Sequence, residues 1–270
     1  MDNIRIACVR YVNTKPLIYG LDRVQGLTLL PAPPASIADM VVRREADLGL
    51  ASIVDAVNST EKMALFPVGM IGCDGPTLTV RVFSRVPFDK VTALAADTES
   101  HTSVILAQLI LRRTHAVKPA VKPFNVADTG ELPETILLIG DKVITGQPPE
   151  ALYPHQIDLG LAWAELTKLP FVYAMWMARA DRMDDASVNL AASLLDRQRV
   201  HNSTRMDHIA RVAASQASWP LDVTRRYLTE LLRYEVDGRA IEAVSTFITM
   251  AADEHLIQRR ELTWAAPVHA

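Results

Sequence analysis

The chain has 270 residues, with 28 basic and 31 acidic side chains, a formal net charge of −3, and 49% hydrophobic content. That length suits two domains, buries enough surface to dispense with disulfide staples, and is too apolar for disorder. The balanced charge, the lack of any polybasic run and the 6% aromatic content argue against nucleic acid as a partner.

Ile4 to Val9 reads as a buried strand. Arg5 interrupts it and Arg10 follows it, which excludes a secretory leader. A loop at Tyr11 to Lys15 comes next, and Pro16 suits the first turn of a short helix, where its missing N–H costs nothing. Leu27 to Leu30 is a second strand. Ser36 is placed to cap a helix carrying Ile37, Met40, Val41 and Arg44 at i, i+3, i+4 and i+7. Asp47 to Ala51 is a third strand and Ile53 to Asn58 a short helix. Gly72-Cys73-Asp74-Gly75-Pro76 is a turn cluster.

Thr77 to Ser84 and Val91 to Ala96 are β-branched or apolar strands. From Thr102 to Arg113 the apolar positions run almost all round, which predicts a helix buried on most sides. Ile136 to Ile139 is a strand ending at Gly140-Asp141. Phe171 to Ala178 is another, too short to span a membrane. Beyond Arg179 the period becomes helical: Val188, Ala191, Ala192 and Leu195; then Met206, Ile209, Ala210 and Ala213; then Val223, Tyr227 and Leu231; then Ile241, Val244, Phe247, Ile248 and Ala251. Strand–helix alternation followed by a helical tail predicts an α/β sheet with helices on both faces.

Several chemistries are missing. There is no phosphate-binding G-x-x-x-x-G-K loop, no G-x-G-x-x-G and no G-x-S-x-G elbow. The seven histidines are scattered. On one helix His201 and His208 would stand about 10 Å apart, too far for one metal. No metal and no cofactor are expected. Cys8 and Cys73 sit in unrelated contexts, which points to a reducing compartment and a cytoplasmic protein with no membrane partner.

Two places look equipped for a ligand. Asn13 lies where a strand gives way to a helix, the usual binding position in open α/β sheets; its bland reading is a helix cap. Ser100, Thr102 and Ser103 precede the most apolar helix, where hydroxyls and free N–H groups make an anion site, although a cap needs only one of them. Thr79, read by residue type alone, is an ordinary β-branched strand residue. Trp163 and Trp176 read as core or cleft wall.

Six segments taken in order carry a resemblance: Tyr11-Val12-Asn13-Thr14-Lys15-Pro16-Leu17, Gly72 to Val80, Asp97 to Val104, Leu138-Ile139-Gly140-Asp141, Asp158-Leu159-Gly160 with Trp163, and Leu169 to Trp176. As a set, spanning about residues 4 to 180, they resemble the chorismate dehydratase family of the futalosine-type menaquinone pathway. The resemblance implies a two-lobed fold like that of type II periplasmic binding proteins, with a helical C-terminal segment. Residues 1–80 and 177–270 would form one lobe and 81–176 the other, with hinge segments near Thr79–Ser84 and Phe171–Ala178.

It further implies a hydro-lyase converting chorismate, a small dicarboxylate, to 3-[(1-carboxyvinyl)oxy]benzoate. Asn13 and Thr79 would orient the reacting groups. Ser100, His101, Thr102, Ser103, Gly140 and Asp141 would lie at the substrate, Asp141 behind the others. His101 stands where the family usually has Arg, and Thr79 where it commonly has Ser. A binding or sensor protein on the same fold is the alternative from another class. The sibling enzyme that makes a dihydroxynaphthoate is a third, set apart by its different N-terminal motif.

Overall fold

The computed structural model describes residues 3–97, 99–125 and 132–266; Thr98 of the third motif and His269 lie outside them. β1 (Ile4–Cys8), α1 (Lys15–Ile18), β2 (Leu27–Pro31), α2 (Pro34–Val42), β3 (Leu48–Ser52) and α3 (Asp55–Asn58) realise the predicted alternation. β1 pairs in parallel with both β2 and β3. Pro34 opens α2 with Pro33 as its N-cap, so Ser36 sits inside the first turn rather than capping it. Proline at the first helical position has no N–H to satisfy.

β4 (Met63–Cys73) follows, where the sequence marks no strand. Its Pro67, Gly69 and Gly72 are poor strand formers. Burial overrides them: every residue except Pro67 is buried.

The chain then crosses to a second sheet. β5 (Val80–Ser84), β6 (Ala93–Asp97), β7 (Ala120–Phe124), β8 (Thr135–Ile139) and β9 (His155–Asp158) lie in the order β7-β6-β8-β5-β9. α4 (His101–His115) follows β6, α5 (Asp141–Thr145) follows β8, and α6 (Leu159–Thr167) follows β9. β5 begins at Val80, not at Thr77. Leu78 has a left-handed φ of 67°, and the Thr79 N–H donates to the Thr77 carbonyl at 2.8 Å, a tight turn that no strand runs through.

β10 (Phe171–Arg179) returns to the larger sheet and lies antiparallel between β3 and β4. The sequence division assigns residues up to 176 to the second lobe, whereas the pairing puts β10 from Phe171 onward with the first. An apolar strand of this kind needs cover on both faces, which the interior of the larger sheet supplies.

The tail contains α7 (Ala186–Ser203), α8 (Met206–Ala217), α9 (Leu221–Arg226), a π-helical turn at Tyr227–Leu231 and α10 (Gly238–Asp253). Two short strands interrupt its helical character. β11 (Leu232–Arg233) and β12 (Thr263–Trp264) both pair with β4. The larger sheet thus runs β11-β4-β10-β3-β1-β2, with β12 also on β4. α10 packs on both β10 and α4. Its Phe247 ring stands edge-on to Trp163 at 5.8 Å and to Phe171 at 4.9 Å, so apolar packing from the tail reaches both lobes. No helix among the described residues is long and apolar enough to cross a membrane.

Candidate active site

Where the two sheets face each other, a cavity with about 640 Å³ of empty space, partly open to solvent, lies outside the carboxyl ends of β1, β3 and β8. Its position is that of a small-molecule site in an α/β fold. The larger sheet contributes Asn13 and Tyr11 after β1, Ser52 at the end of β3, and Tyr173 on β10. The crossing segment contributes Thr77 and Thr79. Ser100 and Ser103 come from the start of α4, Gly140 from the end of β8, and Tyr227 from the tail.

Among the described residues no Lys, Arg, His, Asp or Glu lines this cavity. Its polar atoms are hydroxyls, one amide and backbone groups. One nearby cation is held by two carboxylates. Lys142 Nζ lies 2.7 Å from Asp97 Oδ2 and 3.2 Å from Glu99 Oε2. The Tyr11 hydroxyl crosses between the lobes and donates to Glu99 at 2.7 Å.

Thr79 Oγ1 and Tyr227 Oη are 2.7 Å apart, and both residues are about 2% exposed. Burial drives the Tyr227 hydroxyl well above its usual range, against the opposing influence of Thr79 and Asn13. The Tyr173 hydroxyl is buried without a well-formed hydrogen bond; Cys73 and Thr77 are its polar neighbours. Burial pushes the Cys73 thiol up to about 12, with the Asp158 charge adding to the rise, so it stays protonated.

At the start of α4, Ser100 Oγ accepts from the Ser103 N–H at 3.2 Å and contacts Ser103 Oγ at 2.9 Å. This is the expected cap, and it uses a single N–H of the first turn. The N–H groups of His101 and Thr102 have no partner within the helix, as at any helix start, and carry the positive end of its dipole. Gly140, at φ 61° and ψ −141°, occupies a region essentially restricted to glycine. Its N–H is given to the Thr79 carbonyl at 2.8 Å, which locks the end of β8 to the crossing segment.

The cavity brings together Asn13, Thr79, Ser100, Ser103 and Gly140. It does not include His101, Thr102 or Asp141. Helical geometry explains the first two: residues three apart share a face, so Ser100 and Ser103 look into the cavity while the residues between them look elsewhere. Thr102 Oγ1 accepts from the Val54 N–H at 3.4 Å. His101 faces a separate groove with Asp39 and Asp55. Asp141 lies in a wider groove beside the cavity, with Arg10, Lys15 and Arg23. That groove is the larger of the two, but it is lined by surface cations and anions, whereas hydroxyls and the amide converge in the smaller one.

His101 Nδ1 lies 2.7 Å from Asp55 Oδ1, joining α4 to α3 across the lobes. The hydrogen bond to Asp55 raises the His101 pKa above its ordinary 6.5, with Asp39 acting in the same direction. Burial is the larger influence on Asp55 and raises it, against the bond to His101. The contact therefore contributes its full stability below about pH 6.5, as long as Asp55 stays ionised, and loses it as pH rises through the higher folded value of His101. An NMR titration of the His101 ring is expected to give a pKa above 6.5 in the native protein and a lower one in Asp55→Asn. An unchanged value would show that Asp55 is not the cause.

Tyr11, Ser52, Thr77, Tyr173 and Tyr227 also line the cavity and are not marked by the sequence. Tyr227 reads there as one more member of an apolar helical stripe. The one available hint is that it brings a hydroxyl to a stripe otherwise made of Val223 and Leu231.

A family model described as menaquinone biosynthesis matches residues 4–253. The chorismate dehydratase of Thermus thermophilus is 28% identical over 188 residues, 64% of this chain and 68% of that protein. Among solved structures, a protein of Archaeoglobus fulgidus superposes with a TM-score of 0.71 at 17% identity, covering 94% of this chain and 98% of its own. A Candida albicans protein, described as having the generic periplasmic binding protein structural fold, does so at 0.63 and 8% identity, covering 97% and 92%. At such identities these structural likenesses establish the fold, which is the two-lobed binding-protein architecture.

Proposed function

We propose that this chain, which belongs to the menaquinone biosynthesis family, is a chorismate dehydratase, a hydro-lyase acting in the cleft between the lobes. Chorismate carries a ring carboxylate, an enolpyruvyl ether with its own carboxylate, and a hydroxyl on the ring carbon next to the ether. Removing the proton from the ether-bearing carbon and hydroxide from its neighbour releases one water and leaves 3-[(1-carboxyvinyl)oxy]benzoate. Aromatisation supplies the driving force, so the protein needs to bind, orient and stabilise charge.

The observation that carries this reading is a cavity of neutral donors without a basic side chain: Asn13, Thr79, Ser100 and Ser103 meet there with no carboxylate or imidazole among the described lining residues. Such a site suits a substrate that brings its own base. The enolpyruvyl carboxylate lies close to the departing proton, and an intramolecular base of this kind gains from proximity. Asn13 and Thr79 orient that carboxylate. The start of α4 faces the ring carboxylate, into which negative charge spreads as the proton leaves. The two thiols, Cys8 and Cys73, are free and buried, which suits a reducing, cytoplasmic setting.

Incubation of the purified protein with chorismate is expected to consume it and to yield the carboxyvinyloxy benzoate, identified by its aromatic absorbance and by mass spectrometry. Binding without turnover would instead assign the chain to small-anion binding on the same fold.

A further inference from the structure

We infer that Tyr227, contributed by the tail, is a positioning residue for the proposed dehydration: it sets the direction of the Thr79 hydroxyl, so that the Thr79 proton faces the substrate. This rests on the chorismate dehydratase reading for its chemistry, but the direction of the hydroxyl pair is a property of the protein alone.

Two buried hydroxyls 2.7 Å apart place one proton between them. Asn13 Oδ1 takes the Thr14 hydroxyl at 3.2 Å. That oxygen keeps a second lone pair, and both Nδ2 hydrogens are open to other partners. Asn13 lines the same cavity as Thr79 and Tyr227. A phenol is a stronger donor than an aliphatic alcohol, so the Tyr227 proton goes to Thr79 Oγ1, 2.7 Å away. With that oxygen accepting from Tyr227, the Thr79 proton is left for the cavity. The chain runs from Tyr227 to Thr79 and on to substrate, and each link polarises the next.

The fold holds Tyr227 in this place by means that do not involve its hydroxyl. Its ring packs on Trp219 with centroids 5.5 Å apart. Ile209, Ala210 and Ala213 of α8 complete the same apolar cluster. Tyr227 opens the π-helical turn, and such turns recur at functional sites because the extra residue re-aims a side chain. An ordinary core tyrosine would need a partner for its hydroxyl but would have no bearing on turnover.

Tyr227→Phe keeps the ring and removes the hydroxyl. It is expected to lower kcat roughly 10- to 100-fold with KM within about threefold, the pattern of a contact that matters in the transition state. The double variant Thr79→Val/Tyr227→Phe should be no slower than Thr79→Val alone, because both break one chain. A wild-type kcat in a Tyr227→Phe variant of unchanged melting temperature, or effects that multiply in the double variant, would overturn the assignment. Neutron diffraction of the perdeuterated protein tests the direction without turnover. A deuteron on Tyr227 Oη aimed at Thr79 supports the chain, and one on Thr79 aimed at Tyr227 overturns it. A wild-type protein inert towards chorismate would refute the dehydratase reading instead, whichever way the deuteron points.

Discussion

Asp158→Ala is expected to lower the melting temperature by roughly 6–12 °C and to remove most turnover with it. Asp158 ends β9 and caps α6, accepting from the Gly160 N–H at 3.0 Å and the Leu161 N–H at 3.1 Å. The same carboxylate accepts from the Thr77 N–H at 2.9 Å and the Leu78 N–H at 2.8 Å. One side chain thus fastens the segment leaving the larger sheet to the segment about to return to it. Loss of an N-cap costs about 1 kcal/mol and a hydrogen bond to a charged group contributes about 1.5–3 kcal/mol net; with water reaching some of the N–H groups left behind, a loss near 3 kcal/mol follows. At 2–4 °C per kcal/mol for a chain of this order, the stated range follows.

Turnover should fall further than stability, because the turn at Leu78 that presents Thr77 and Thr79 loses its anchor. Asp158→Asn keeps one acceptor oxygen but turns an NH2 towards the N–H groups the other accepts from, so it should recover only part of the stability. Thermal denaturation beside a chorismate assay checks both parts, and a melting temperature within about 2 °C of wild type for Asp158→Ala would refute the clamp. The neighbouring Gly160 belongs to the same device. A Cβ there would stand 2.6 Å from both Cys73 Sγ and the Gly75 carbonyl, so only glycine lets α6 approach the crossing segment this closely.

Thr79→Val is expected to lower turnover by on the order of 10²-fold, the scale of one lost transition-state donor. Valine keeps the β-branch and nearly the same volume, so a residue serving only the backbone would be silent to the change. Thr79 stands just before β5 and is buried against Tyr227, whose ring remains packed on Trp219 in the variant. Folding should therefore survive. Thr79→Ser retains the hydroxyl and should stay within a few-fold of wild type. Equal rates for Thr79→Val and wild type, compared at matched stability, would return Thr79 to the ordinary residues of the crossing segment.

The apolar strands and the long helices were legible from local pattern, because burial and periodicity agree in β1, β3, β8, β10, α4 and α10. β4 was not, since Pro67, Gly69 and Gly72 speak against a strand and only the tertiary cover of the larger sheet overrules them. β7 carries Pro123 at its edge, and β9 reads His-Gln-Ile-Asp, too polar and short to stand out. In the site, the ordered motifs reached Asn13, Thr79, Ser100, Ser103 and Gly140, which share one cavity. They also pointed to His101 and Thr102, because adjacency in sequence does not reveal which face of α4 each side chain takes. Tyr227 escaped for a different reason. It enters the cleft from a part of the chain beyond the motifs, and a tyrosine in an apolar stripe looks like core until its hydroxyl is seen to have company.

The partners of β4 impose an order on folding. Its outer edge waits for Leu232–Arg233 and Thr263–Trp264, the latter arriving through roughly two hundred residues of intervening chain. Contacts so distant in sequence carry a large closure entropy and form late. Until they form, β4 presents an unpaired apolar edge, interrupted by Pro67, which blunts its capacity to recruit a strand from another molecule. The segment that brings β11 to this edge also brings Tyr227 to Thr79. One edge of the sheet and the cleft therefore depend on the same segment, and a chain in which it has not docked carries the hydroxyl of Thr79 without the group that aims it.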